Sequence, residues 1–174
     1  IAGDLNISKT LLFYYFDDKQ SLIIAVLEKL SEDFIQTLQE RLSGVTATKE
    51  GLYIFIEVKQ ESFKKNMQLA MQEDTVQINR SSPKLLKMMA KVRKTVLNIV
   101  ADILEKGIER KELRVVNVQK TSELILEVLQ SLEIRLKHNS LIPSDDEIDQ
   151  LATKQKEFID LLFSGLKNDS LIKN

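Results

Sequence analysis

Apolar residues recur at three- and four-residue steps along most of this chain, the period of helices buried on one face. Ile23, Leu27, Leu30, Phe34, Leu38 and Leu42 form the cleanest stripe. It predicts a long helix from Asp18 or Lys19 to about Leu42, ended at Ser43-Gly44. Thr48 is expected to cap a second helix, Lys49 to Lys65. Its apolar residues Leu52, Tyr53, Ile54, Phe55, Ile56, Val58 and Phe63 cover more than one face, so it belongs at the centre of the fold. Asn66 is expected to break it, and a shorter helix to run from Met67 to Asn79. Ser81-Ser82-Pro83 is a start signal for a helix to about Arg110. That helix carries Leu85, Met89, Val92, Val96, Ile99, Ile103 and Leu104 on one stripe. Asn117 is a cap for a helix to about His138. Pro143-Ser144 opens the last one, to Lys167, with Asp145, Asp146 and Glu147 at its positive end. No segment alternates as a strand would, and no internal repeat is visible. An all-α fold is expected.

The last two predicted helices carry more apolar surface than one small bundle hides. On the final helix Ile148, Leu151, Phe158 and Leu162 form one seam, and Ala152, Ile159, Phe163 and Leu166 a second. The second seam and the broad stripe of the preceding helix call for a partner. Two copies related by a two-fold axis would make a four-helix bundle, a homodimer with Leu129, Leu132, Phe158 and Leu162 as candidate contacts.

The first twenty-two residues, IAGDLNISKTLLFYYFDDKQSL, have a different character. Leu5-Asn6-Ile7 reads as a tight turn, since Asn tolerates a left-handed backbone. Ser8 is a good N-cap for the short helix that follows. At about 100° per residue Leu12 and Phe16 face inward together, while Thr10, Leu11 and Tyr14 face out. A short helix after a tight turn, with outward Thr, Leu and Tyr, suits insertion of its N-terminal part into a DNA major groove. Lys9, Thr10, Leu11 and Tyr14 are the side chains placed to meet base edges.

These residues resemble the second half of the helix-turn-helix of the TetR family of bacterial repressors, whose pattern is roughly I-A-x-x-A-G-V-S-x-G-x-L-Y-x-Y-F-x-x-K-E-x-L. Ile1-Ala2, Ile7-Ser8, Leu12-Phe13-Tyr14-Tyr15-Phe16, Lys19 and Leu22 match in register. Leu5, Asn6, Thr10, Phe13 and Gln20 depart from it; Asn6 keeps the turn chemistry, and Phe13 lacks the hydroxyl of the family's Tyr. The string from Gly107 to Leu113 is similar to the family's G-I-x-R-G-E-L, with Lys111 in place of the second Gly. The resemblance implies a DNA-binding set of Ser8, Lys9, Thr10, Leu11, Tyr14, Tyr15 and Lys19, with Tyr15 and Lys19 on phosphates. It also implies a preceding helix and basic arm, so residues upstream of Ile1 are expected. Two domains follow: 1–42, the remainder of the DNA reader running into the long helix, and 43–174, for ligand binding and dimerisation.

Charge adds little. The 174 residues carry a net charge of −1, and the stretch to Gln20 sets Lys9 and Lys19 against Asp4, Asp17 and Asp18. Two prolines and five glycines agree with long helices. Without cysteine there is no disulfide framework and no thiolate metal site, which fits a cytoplasmic location. No apolar run reaches membrane-spanning length.

Catalytic chemistry finds no constellation. The sole histidine, His138, falls near a helix end, where a dipole partner is the ordinary role. Glu73-Asp74 and Asp145-Asp146 are sequence neighbours, which on a helix do not face each other. The expectation is no enzyme, no cofactor and no metal. Binding remains. Met67, Met71, Met88 and Met89 lie on consecutive predicted helices after Phe55 and Phe63, and Met adapts to irregular apolar space. Read from the residues alone, ordinary core packing is the first account of them. The family resemblance implies a small-molecule cavity there, which would be bounded by Phe55, Phe63, Met67, Met71, Met88, Met89 and Val92. The expected function is a regulator, a repressor released from a near-palindromic double-stranded operator by a largely apolar inducer. The competing reading is a helical module that keeps this fold without binding DNA.

Overall fold

A computed structural model describes residues 14–75, 81–139 and 143–166; the side chains of 67–75 and 137–139 fall outside that description. Five helices are defined among the described residues: α1 (Lys19–Leu42), α2 (Thr48–Thr75), α3 (Pro83–Glu109), α4 (Val118–Asn139) and α5 (Asp145–Leu166). The fold is all-α, as expected.

Most helix ends are set by the residues that mark them in the sequence. Asp18 starts α1 by accepting the Ser21 backbone N–H at 2.6 Å. Gly44, at φ 82°, turns the chain out of its end. Pro83 occupies the first turn of α3. Asn117 Oδ1 takes the Lys120 N–H at 3.0 Å ahead of α4. Ser144 and Glu147 form a reciprocal capping box before α5: Glu147 Oε2 accepts the Ser144 N–H at 2.8 Å, and Ser144 Oγ accepts the Glu147 N–H at 3.3 Å.

Two expectations are corrected. Asn66 does not break α2, which runs unbroken to Thr75. Its side-chain amide donates to the Ser62 carbonyl at 2.9 Å, one turn back, so its polar group is satisfied inside the helix. Thr48 does not cap α2 from outside but is its first residue. The start of α2 is instead held by Glu112, whose Oε2 accepts the Thr48 N–H at 2.9 Å. Burial pushes the Glu112 carboxyl up, but the hydrogen bonds from Arg110 and Thr48 outweigh it and leave it below its ordinary value.

That contact is built by the end of α3. The Glu112 N–H returns to the Gly107 carbonyl and the Lys111 N–H to that of Ile108, both at 2.9 Å, the pairing that closes a helix through a left-handed residue. The left-handed residue is Lys111, at φ 63°.

α2 lies in the middle, packed on α1, α3 and most extensively α5. Its Leu52, Phe55, Ile56 and Val58 join Leu38 of α1, Val100 and Leu104 of α3, Ile125 and Leu129 of α4, and Ile159 of α5 in one core. Each fully buried side chain of this kind contributes about 1.5–3 kcal/mol of transfer free energy. Ala152, Ile159, Phe163 and Leu166, expected to need a partner, pack within this same core. A carboxylate ties three helices together at the surface. Glu57 of α2 accepts from Arg41 of α1 at 2.7 Å and from Lys156 of α5 at 2.8 Å.

Candidate functional site

The sequence pattern of α1 places apolar residues on a stripe, and only part of that stripe is consumed by the core. Leu27, Leu30 and Phe34 line a cavity of about 300 Å³, between α1, α2, α4 and α5. Phe63 of α2, Leu136 of α4, and Ile148, Leu151 and Ala152 of α5 complete its apolar wall. The volume is at the lower end of small-molecule sites, roughly 300–1,000 Å³.

One end of the cavity is polar. Lys59 of α2 pairs with Glu133 of α4 at 2.6 Å. Gln155 of α5 is 4% exposed and donates its amide to the Leu129 carbonyl at 3.1 Å and to Glu133 Oε1 at 3.2 Å. All three side chains line the cavity. The Lys59 ammonium also lies 5.9 Å from the centroid of the Phe55 ring.

Among the residues expected to bound a ligand site, Phe63 lines this cavity. Phe55 sits one layer behind it, 1% exposed, with its ring edge-on to that of Phe34 at 6.4 Å. Met88, Met89 and Val92 lie on the N-terminal half of α3, which is not part of the lining. Met88 and Val92 are half-buried, and Met89 is 56% exposed. The side chains of Met67 and Met71 lie outside the described residues. Sequence reasoning missed Lys59, Glu133 and Gln155. A signal for Gln155 was present: it is the polar member of the otherwise apolar seam Ile148, Ala152, Gln155, Ile159. Lys59 and Glu133 carried no such mark, because charged residues on different helices pair only once the helices are docked.

Upstream of α1, Tyr14 and Tyr15 are 81% and 71% exposed and meet edge-on, centroids 5.3 Å apart. Phe16 is half-buried and Lys19 is exposed. Ser8, Lys9, Thr10 and Leu11 lie outside the described residues. Asp18, next to this segment, is held below the usual carboxylate range by the Ser21 backbone N–H above all. Leu27, the first cavity residue on α1, is eight residues from Lys19, about 12 Å along the helix. A molecule in the cavity would touch the helix that leads directly back to the exposed tyrosines.

The four candidate dimer contacts divide. Leu129 belongs to the core, 1% exposed. Leu132 is half-buried, and Phe158 and Leu162 are partly buried against the core. The large apolar side chains left exposed on α4 and α5 are Leu124 at 53%, Ile134 at 48% and Leu161 at 76%.

The arrangement is an all-helical domain with a cavity beside a long helix that follows an exposed aromatic segment. Comparison with known proteins gives its family. The family model of the QacR-like protein C-terminal region, a TetR-type domain, matches residues 21–168. The chain belongs to the TetR family of transcriptional regulators. Two solved structures share its fold. A transcriptional regulator from Cytophaga hutchinsonii aligns with a TM-score of 0.81 at 20% identity, over 95% of this chain and 85% of that one. The TetR family transcriptional regulator PfmR from Thermus thermophilus aligns at 0.67 and 21% identity, over 95% and 86%. No curated protein matches. Among the described residues no helix is long and apolar enough to cross a membrane, and no acidic, histidine or cysteine cluster is placed to hold a metal ion.

Proposed function

We propose that this regulator is a repressor that leaves its operator when a small molecule fills the cavity between α1, α2, α4 and α5. The observation that carries this reading is the shared helix: α1 supplies Leu27, Leu30 and Phe34 to the cavity and begins directly after the exposed Tyr14 and Tyr15. DNA prefers one spacing of two reading heads and ligand another, so each weakens the other's binding. Residues 1–42 serve as the reading unit and connecting helix, and residues 43–174 as the ligand-binding and dimerisation unit. Lys9, Thr10, Leu11 and Tyr14 meet base edges, Ser8 caps the reading helix, and Tyr15 and Lys19 hold phosphates. The exposure of Tyr14, Tyr15 and Lys19 supports this assignment. The protein acts in the cytoplasm, where its operator is. It works as a homodimer through α4 and α5, with Leu161 and Leu124 joining Leu132, Phe158 and Leu162 at the seam. Two-fold symmetry sets the reading helices about one DNA turn apart and calls for a near-palindromic operator.

The test is selection of binding sites from random duplex DNA with the full-length protein, followed by Lys19→Ala. The variant is expected to weaken binding to all sequences alike and to flatten the salt slope by about one unit. Selection of no duplex, or a Lys19→Ala slope equal to wild type, would remove the DNA-binding assignment.

A further inference from the structure

Resting on the reading of the cavity as the inducer site, we infer that its ligand is an uncharged amphiphile: an apolar body with one hydroxyl or amide that both donates and accepts a hydrogen bond. Among the described residues the lining carries one cation, Lys59, and one anion, Glu133, and they are already paired at 2.6 Å. A carboxylate entering this end would leave a surplus negative charge in a largely apolar space, and an ammonium a surplus positive one. The Lys59 and Glu133 side chains keep 34% and 26% of their exposure, so either ion would give up much of its hydration there with no free counter-charge among the described lining residues. A neutral head incurs no such loss.

The hydrogen-bonding inventory then defines the head. Both amide N–H directions of Gln155 are used, one on the Leu129 carbonyl and one on Glu133. With both donors on oxygen acceptors, the amide orientation is fixed. Its Oε1 accepts nothing from the described residues. Lys59 and Gln155 both meet Glu133 at Oε1. The Lys59 ammonium has three donors and gives one to Glu133. A Gln155 carbonyl without a partner among the described residues and a Lys59 ammonium with donors to spare thus stand together in the lining of a largely apolar cavity. A hydroxyl or amide satisfies both kinds at once; a carboxylate only accepts, an ammonium only donates, and an alkane does neither.

Three ten-carbon probes test this with the chain at neutral pH, by calorimetric titration below micellar concentration: 1-decanol, decanoate and decylammonium. Wild type is expected to bind 1-decanol at least about ten-fold more tightly than either ion, about 1.4 kcal/mol. Glu133→Gln leaves Lys59 uncompensated and is expected to bring decanoate to the front. Lys59→Met leaves Glu133 uncompensated and is expected to favour decylammonium instead. Wild type preferring either ion would overturn the ligand class while leaving the cavity as a binding site. An alcohol preference that neither variant reverses would show that the ion pair does not select, and overturns the inference equally. Failure of all three probes to bind would overturn the cavity reading beneath it. If a variant does not fold, the wild-type ranking still decides.

Discussion

At the crossing of α2 and α3, Gly107→Ala is expected to destabilise the protein, and Thr48→Ala to abolish that effect. A Cβ on Gly107 would lie 2.2 Å from Thr48 Oγ1 and 3.0 Å from its Cγ2. Thr48 is 1% exposed, and its Oγ1 accepts from Arg110 at 3.1 Å while its N–H is held by Glu112. It cannot retreat without releasing those bonds. Overpacking of this kind costs about 1–3 kcal/mol, and the lost Arg110 bond adds about 0.5–1.5 kcal/mol. Ala in a helix returns about 0.5–1 kcal/mol over Gly. The net is a loss of about 1–3 kcal/mol. In a Thr48→Ala background both offending atoms are gone, and the nearest remaining atom is the residue-48 Cβ at 3.1 Å. There the same substitution should be neutral to within about 0.5 kcal/mol, or slightly stabilising by its helix propensity. Urea unfolding followed by circular dichroism at constant m-value measures all four corners of the cycle. A Gly107→Ala cost that is absent in wild type, or the same in both backgrounds, would refute the close approach.

Lys111→Gly should stabilise the fold by about 1 kcal/mol, raising Tm by about 2–4 °C, because a left-handed non-glycine residue costs about 1–2 kcal/mol and φ is 63° there; an unchanged or lower Tm would count against it. Glu57 is held below its ordinary value by the Lys156 hydrogen bond first, with Arg41 adding to it against burial. Its contribution is therefore complete above the unfolded carboxylate value and lost as pH falls through the lower folded one. Glu57→Gln should cost about 1 kcal/mol at pH 7, a figure kept small for a partly exposed pair, and flatten the acid limb of a stability-against-pH curve. Ala152→Phe should fill the cavity and abolish response to ligand while DNA affinity is unchanged, as fluorescence anisotropy of labelled operator would report; retained induction would place the inducer elsewhere. Met89→Trp, on a side chain 56% exposed outside that lining, should leave induction intact.

The all-α class, the helix starts at Pro83, Asn117 and Ser144 and the span of α1 were legible because they depend on local chemistry. Caps, proline, glycine and apolar period act within one or two turns, and residues that close in sequence are close in space whatever the tertiary fold. Even so, Asn66 shows the limit of local reading, since the same amide that ends helices elsewhere bonds one turn back and continues α2. Upstream of α1 the spacing marked Tyr14 as outward-facing, and it is 81% exposed. What only the tertiary structure decided is which apolar stripe meets which. Both seams of α5 looked alike in period, but Ala152, Ile159 and Leu166 were taken fully into the core while Phe158 and Leu162 pack only partly against it, and Leu161, in neither seam, was left outside. The methionines marked adaptable space on α2 and α3, but among the described residues the cavity lies beside α1, lined by Leu27, Leu30 and Phe34. Its polar end depends on Lys59, Glu133 and Gln155, drawn from three helices, and the end of α3 closes the start of α2 across more than sixty residues. Periodicity says that a face is buried; partner, register and leftover volume are settled only when the helices pack.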